Sequence, residues 1–225
     1  RPPRSTLFPY TTLFRSSTLV SLLPRLYDPP RGTVFIDGED ILHYDLHHLR
    51  RAFGVVPQDT FLFSATIREN IAFGADGPLD DREIADLAEI STIARDAEGF
   101  PGGYDTEIGE RGLTLSGGQK QRVAISRALA RDPEILILDD ALSAVDTDTE
   151  EKILSRVLAR RGGKTNIIIS HRIRALSRCD LIIVLDGGRV VQRGTHRDLL
   201  NEPGLYREIH ELQTAESAVL GEEKA

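Results

Sequence analysis

Two short segments, EILILDD (134–140) and NIIIS (166–170), are apolar at consecutive rather than alternate positions. A strand that is apolar on both faces has to be covered on both, which is the situation of a parallel sheet with helices above and below it. The stretches GGQKQRVAISRALA (117–130) and DTDTEEKILSRVLARR (146–161), before and between them, have the length and period of such helices. An α/β fold with a parallel sheet is the result.

The remaining segments fit around that core. STLVSLLPRLYDPP (17–30) reads as a helix ended by the Asp28-Pro29-Pro30 turn signal, TVFIDG (33–38) as a strand stopping at a glycine, and FGVVPQ (53–58) as a short β-branched strand. Residues 59–117 are mixed and mostly helical, with DREIADLAEISTIARDA (81–97) as the best helix, and are expected to form an inserted helical subdomain. LIIVLDGGRVVQRG (181–194) is a hairpin turning at Asp186-Gly187-Gly188, expected to close the sheet with an antiparallel edge. From Thr214 to Ala225 a polar, frayed tail is expected.

Bulk properties exclude several roles. A net charge of -7 is the wrong sign for a chain that neutralises a phosphate backbone, so nucleic acid is not an expected partner. Cys179, the single cysteine, rules out an internal disulfide and fits a reducing compartment. No apolar run reaches the roughly 20 residues of a membrane helix.

Residues 1–16, RPPRSTLFPYTTLFRS, differ from the rest of the chain: they lack a helical or strand period and nearly repeat TLF. Their codons can be written as a string resembling a common short-read sequencing adapter. They are expected to be a non-native leader, with native sequence beginning at Ser17 and running as one domain to Gln213.

Chemistry concentrates at four places. Leu115-Ser116-Gly117-Gly118-Gln119 opens an amphipathic helix, and Ser116 and Gln119 have capping-box spacing, so backbone N–H groups are offered at a helix start where anions bind. The paired glycines allow close approach of a phosphate. Asp139 and Asp140 stand at the carboxyl end of a buried strand, where ligands bind in open α/β sheets and where a carboxylate can hold Mg2+ beside a nucleotide. Gln58 and the Ser170-His171 pair end two further strands.

In these motifs the chain resembles the ATPase domains of ABC transporters, from Ser17 to about Gln213: LSGGQ (115–119), a hydrophobic strand ending in Asp, the D-loop Ser143-Ala144-Val145-Asp146 and a strand-end His. The resemblance implies a P-loop NTPase (RecA-like) core with an inserted helical subdomain carrying LSGGQ. It implies ATP and Mg2+ as ligands, Gln58 as the residue sensing Mg2+ and the membrane domain, Asp139 as the metal carboxylate and His171 as the contact to the γ-phosphate. Ser17 and Thr18 take the places of the Ser-Thr pair that ends the phosphate loop, Ser17 as a metal ligand, while Ser116, Gly117, Gly118 and Gln119 complete the ATP site of a second subunit. PQDTFLFSATIRENIAFG (57–74) and TEIGERG (106–112) resemble exporters, in which a transmembrane domain on the same polypeptide precedes the ATPase domain at the cytoplasmic face of the membrane. The segment between Gln58 and LSGGQ is too short for the coiled-coil insertion of DNA-repair members of the family.

Two departures stand out. Arg15 and Ser16 occupy the places of the Gly-Lys that ends the phosphate loop, and the loop and first strands are missing, so this chain alone is expected to bind ATP poorly. The general base after the metal carboxylate is usually Glu in the family and here is Asp140, one methylene shorter. With LSGGQ intact, the combination resembles one half of a heterodimeric exporter. The alternatives are a homodimer in which Asp140 is a weaker base and a regulatory subunit that only completes a partner's ATP site.

Overall fold

The computed structural model describes residues 10–109 and 113–222. In chain order it contains α1 (Tyr10–Ser21), β1 (Phe35–Ile36), β2 (Glu39–Asp40), α2 (Leu46–Arg51), β3 (Phe53–Val56), β4 (Ala65–Thr66), α3 (Ile67–Ala72), α4 (Asp81–Ile90) and α5 (Ala94–Glu98). Next come β5 (Glu107–Ile108), α6 (Gly117–Ala130), β6 (Ile135–Asp139), α7 (Thr147–Arg160), β7 (Thr165–Ile169), α8 (Ile173–Leu176), β8 (Ile182–Asp186), β9 (Arg189–Gly194), α9 (His196–Asn201) and α10 (Leu205–Glu222). The chain divides into two compact units, 22–169 and 1–21 with 170–225.

The larger unit is built on a three-stranded parallel sheet in the order β3-β6-β7, so the fold is α/β as the apolar runs require. Central β6 buries Leu136, Ile137 and Leu138 almost completely, whereas β7 is only half-buried. Helix α6 packs on β3 and also on α3 and α4, burying Val123, Ile125 and Leu129. Residues 59–117 therefore share one compact unit with the sheet. Where α7 ends, Arg161 is 2% exposed, and a buried guanidinium must find an acceptor for its N–H groups. It donates to Asn166 Oδ1 and the Pro133 carbonyl at 2.7 Å and to the Thr165 carbonyl at 3.2 Å, which ties α7 to the starts of β6 and β7. Burial pushes its pKa down.

Three elements of this part of the chain differ from the sequence reading. TVFIDG is two residues of β1 and a reversal into β2, because Asp37 and Gly38 both take positive φ, 50° and 83°, and form a tight hairpin turn. The helix expected over 81–97 is broken at Thr92, whose φ is 62° and whose carbonyl accepts from Arg122 Nη1 at 3.0 Å. The helix containing Ser17 ends at Ser21, before Pro24 rather than at Asp28, because a proline lacks the N–H and crowds the preceding turn.

The smaller unit holds α1, α8, the β8–β9 hairpin, α9 and α10, around a core of Ile173, Ile182, Leu199 and Tyr206. Within this unit the hairpin is an antiparallel pair of strands, Ile182 pairing with Gly194 and Asp186 with Arg189. In β8 Ile182 is buried, Ile183 is exposed, and Val184 and Leu185 are half-buried. Helix α10 continues to Glu222, so residues 215–222 are helical; Ala215, Glu216 and Ala218 all favour that state. The buried Tyr206 hydroxyl bonds His196 Nδ1 at 2.8 Å, and burial raises its pKa to about 12. Among the described residues, no helix is long and apolar enough to cross a membrane.

Candidate functional site

The parallel register sets out the carboxyl edge of the sheet. Val56 pairs with Leu138 and Asp139 with Ile169, so β3 delivers the chain into Pro57-Gln58 at the edge where β6 delivers Asp139. Asp139 and Asp140 are both buried, and Gln58 is exposed. Asp140 takes a left-handed conformation, φ 47°, and its N–H donates to the Ile169 carbonyl at 2.9 Å. Asp enters this region more readily than Glu, since its short side chain adapts locally to the turned backbone.

Past Asp140 the chain turns tightly: Ser143 N donates to the Asp140 carbonyl at 3.2 Å and Val145 N to the Leu142 carbonyl at 3.0 Å. Asp146 then caps α7, accepting from Thr149 N at 3.0 Å, and this backbone hydrogen bond holds its carboxyl below the usual range. Between them, Ser143 and Ala144 are gripped by one side chain, as Gln121 Nε2 donates to Ser143 Oγ at 3.0 Å and Gln121 Oε1 accepts from Ala144 N at 3.0 Å.

Gln121 belongs to the helix that LSGGQ opens. The capping box is present in full: Ser116 Oγ accepts from Gln119 N at 3.2 Å and Gln119 Oε1 from Ser116 N at 2.8 Å. Gln119 Nε2 also donates to Asp96 Oδ1 at 2.7 Å, and Arg122 Nη1 to Asp96 Oδ2 at 2.7 Å, so α5 braces the first turn of α6. The two glycines have different reasons to be there. A Cβ on Gly118 would lie 2.7 Å from the Ala144 carbonyl oxygen, whereas on Gly117 it would meet only the Ala144 Cβ at 3.4 Å. Gly118 is therefore needed for contact with the D-loop within the chain, quite apart from any phosphate.

The two exporter-like stretches meet. β4 pairs with β5 through Ala65↔Ile108 and Thr66↔Glu107, and Gly109, at φ 121°, lets the backbone pass Ser64. Glu110, Arg111 and Gly112 lie outside the described residues. Buried Asn70 pins the segment after Gln58, accepting from Phe63 N at 2.9 Å and donating to the Phe63 and Thr66 carbonyls at 3.0 Å. Arg127 of α6 adds bonds to the Asn70 and Phe61 carbonyls at 2.9 Å.

In the smaller unit Ser17 and Thr18 stand inside α1, which begins at Tyr10. Their amides are thus in the helical ladder and do not form an open helix start of the kind that cradles phosphate. His171 is exposed, and its carbonyl accepts from Gln213 Nε2 at 2.6 Å.

Mg2+ prefers hard oxygen ligands and retains several of its waters. Asp139 and Gln58, both in the larger unit, offer oxygen donors at the carboxyl edge of the sheet, and among the described residues there is no group of three or more His, Cys, Asp and Glu that could hold a metal by itself. That donor chemistry fits an ion shared with nucleotide phosphates.

The profile of the ABC transporter family matches residues 16–143, more than half of the chain. The chain belongs to the ABC transporter family. It is 50% identical over 206 residues to the ATM1-type heavy metal exporter of Novosphingobium aromaticivorans, covering 92% of this chain and 34% of that protein. Over 202 residues it is 43% identical to the ATP-dependent lipid A-core flippase of Idiomarina loihiensis, covering 90% of this chain and 35% of that protein. The structure of a bacterial Atm1-family ABC exporter with ATP bound superimposes with a TM-score of 0.83 at 49% identity, covering 88% of this chain and 35% of that one. The chain spans about a third of the length of the relatives it matches. The fold is accordingly that of an ABC nucleotide-binding domain of exporter type.

Asp96, Gln121, Arg122 and Gln213 are not legible in the sequence as site residues. Each acts through a tertiary hydrogen bond to a distant segment, and none has a motif that marks it.

Proposed function

We propose that this chain is the ATP-binding and ATP-hydrolysing domain of an ABC exporter, coupling ATP-driven dimerisation to movement of substrate across a membrane, with the domain at the cytoplasmic face. The observation that carries the reading is the continuous connection from the buried Asp139-Asp140 pair through the D-loop to the LSGGQ helix, made by Gln121. In this reading Asp139 and Gln58 would hold Mg2+, which would neutralise phosphate charge, and Ser17 takes the place of the metal-ligating Ser of the family. Asp140 accepts the proton of the attacking water at its carboxylate and His171 contacts the γ-phosphate, while Thr18, inside a helix in this chain, takes the place of the Thr that ends the phosphate loop in the family. Ser116, Gly117, Gly118 and Gln119 offer a helix start to the ATP of a second ABC subunit, and Ser143, Ala144, Val145 and Asp146 line the contact between the two.

Asp140 supports an asymmetric pair. A base one methylene short sits back from the water, and a misplacement of about 1 Å can cost roughly a hundredfold in rate. The chain then forms a slow site of its own and completes a fast one on its partner, and a transmembrane domain of the same polypeptide supplies the substrate path. As a 225-residue chain with Ser17 and Thr18 inside a helix, it binds ATP poorly by itself. The second reading is a regulatory subunit that lends LSGGQ without hydrolysing ATP, and the short Asp140 favours it.

ATP hydrolysis by the full-length protein with its partner subunit separates these. In the asymmetric pump Asp140→Asn removes a minor share of turnover and Ser116→Ala removes most of it. Loss of all turnover with Asp140→Asn points instead to a homodimer, and no effect at all to the regulatory subunit.

A further inference from the structure

We infer that Gln213, on helix α10, is a positioning residue that holds the His171 loop in the geometry needed to distinguish ATP from ADP. The inference rests on the reading of His171 as the γ-phosphate contact.

Its side-chain amide spans the loop. Gln213 Nε2 donates to the His171 carbonyl at 2.6 Å, and Gln213 Oε1 accepts from Ile173 N at 3.0 Å. Ile173 is the first residue of α8, and the cap position before it, Arg172, makes no side-chain capping bond. A helix start leaves its first N–H groups in need of acceptors, and here one of them is met from α10 rather than by a local cap. A second constraint on the loop is local, Ser170 Oγ accepting from Arg172 N at 3.0 Å. Side chains therefore fix the backbone on both sides of Arg172, and Gln213 does so from a helix 40 residues further along the chain than Ile173.

Helix α10 is itself firmly seated. Tyr206, 2% exposed, packs in one core with Ile173, and its N–H donates to Gln192 Oε1 at 3.0 Å. Gln213 lies two helical turns beyond Tyr206 and so projects from the same face. An apolar anchor and a polar clamp on one face of α10 thus both reach the segment that begins at His171. The seating of α10 in its core is passed on, through one glutamine, to the backbone that carries the His171 imidazole.

The test uses the full-length protein, with two readouts: amide hydrogen exchange at Ile173 without nucleotide, and the ratio of ADP to ATP dissociation constants. Gln213→Leu is expected to speed exchange at Ile173 and to cut the preference for ATP by about tenfold, the scale of losing one to two net hydrogen bonds. Gln213→Glu keeps the acceptor for Ile173 but turns a carboxylate toward the His171 carbonyl, so it should leave exchange slow and still lower the preference for ATP. In a His171→Ala background, Gln213→Leu should change the preference no further. The inference is overturned if Gln213→Leu leaves both readouts as they were, or lowers the preference equally with His171 absent, which marks a merely structural role. If His171→Ala itself leaves the preference intact, the reading of His171 fails and takes this inference with it.

Discussion

Gln121 holds Ala144: its side-chain oxygen accepts from the Ala144 N–H at 3.0 Å, while its nitrogen reaches the neighbouring Ser143 hydroxyl at the same distance. One 5%-exposed glutamine thus fixes the D-loop to the helix that begins at LSGGQ, so the loop leaving Asp140 cannot move without the signature helix. Replacing Gln121 by Leu keeps the volume and removes both bonds, leaving the Ala144 N–H without its acceptor. Stability should fall by about 2 kcal/mol, measurable as a lower urea midpoint with an unchanged slope.

The two signature glycines should respond differently to a methyl group. Gly118→Ala drives its Cβ to 2.7 Å from the Ala144 carbonyl oxygen, a backbone atom that cannot move without the D-loop, and should lower the melting temperature by several degrees. Gly117→Ala meets only ordinary contact at 3.4 Å and should be neutral or slightly stabilising. Equal effects at both positions in thermal melts would mean that the D-loop does not abut Gly118.

Much of this arrangement is legible in the sequence. The consecutive apolar residues of 134–140 and 166–170 require the parallel sheet, and the Ser116/Gln119 spacing announces a capping box that is present atom for atom. Short-range signals fail where backbone conformation, rather than apolar period, decides the outcome. Thr92 takes a left-handed φ that its residue type does not announce, so the sequence reads as a helix through it, whereas Asp37-Gly38 is a turn signal that reads only as the end of a strand because the strand after it is two residues long. Gln121 and Gln213 are invisible for another reason: a glutamine that bonds backbone far away in sequence looks like any surface glutamine.

Asp140 offers a trade between strain and reach. At φ 47° a longer Glu is held less comfortably, and the left-handed conformation costs about 1–2 kcal/mol for ordinary residues. Asp140→Glu should therefore lower the melting temperature slightly. It should also raise the turnover number of the full-length protein without a matching change in KM, because the carboxylate regains the missing methylene. A slower enzyme with Glu would argue against Asp140 as the base.

The C-terminal helices should loosen in acid. Burial, with His210 beside it, holds the His196 imidazole below its ordinary pKa, and the Tyr206 hydroxyl bonds its Nδ1. As pH falls, the unfolded chain takes up this proton before the folded one does, so the stabilisation is whole above the ordinary imidazole range and declines as pH drops toward the folded value. Thermal melts between about pH 7.5 and about pH 5.5, the window of imidazole titration, should show a falling midpoint, and His196→Gln should flatten that dependence.

The most direct measurement is the rate of ATP hydrolysis by the full-length protein with its partner subunit in lipid vesicles, with Mg2+, for the unaltered protein and for Ser116→Ala. Hydrolysis that requires Mg2+ and collapses with Ser116→Ala is the predicted result. Hydrolysis that continues unchanged without the Ser116 hydroxyl, or a protein that neither binds nor hydrolyses ATP in any pairing, would contradict the account.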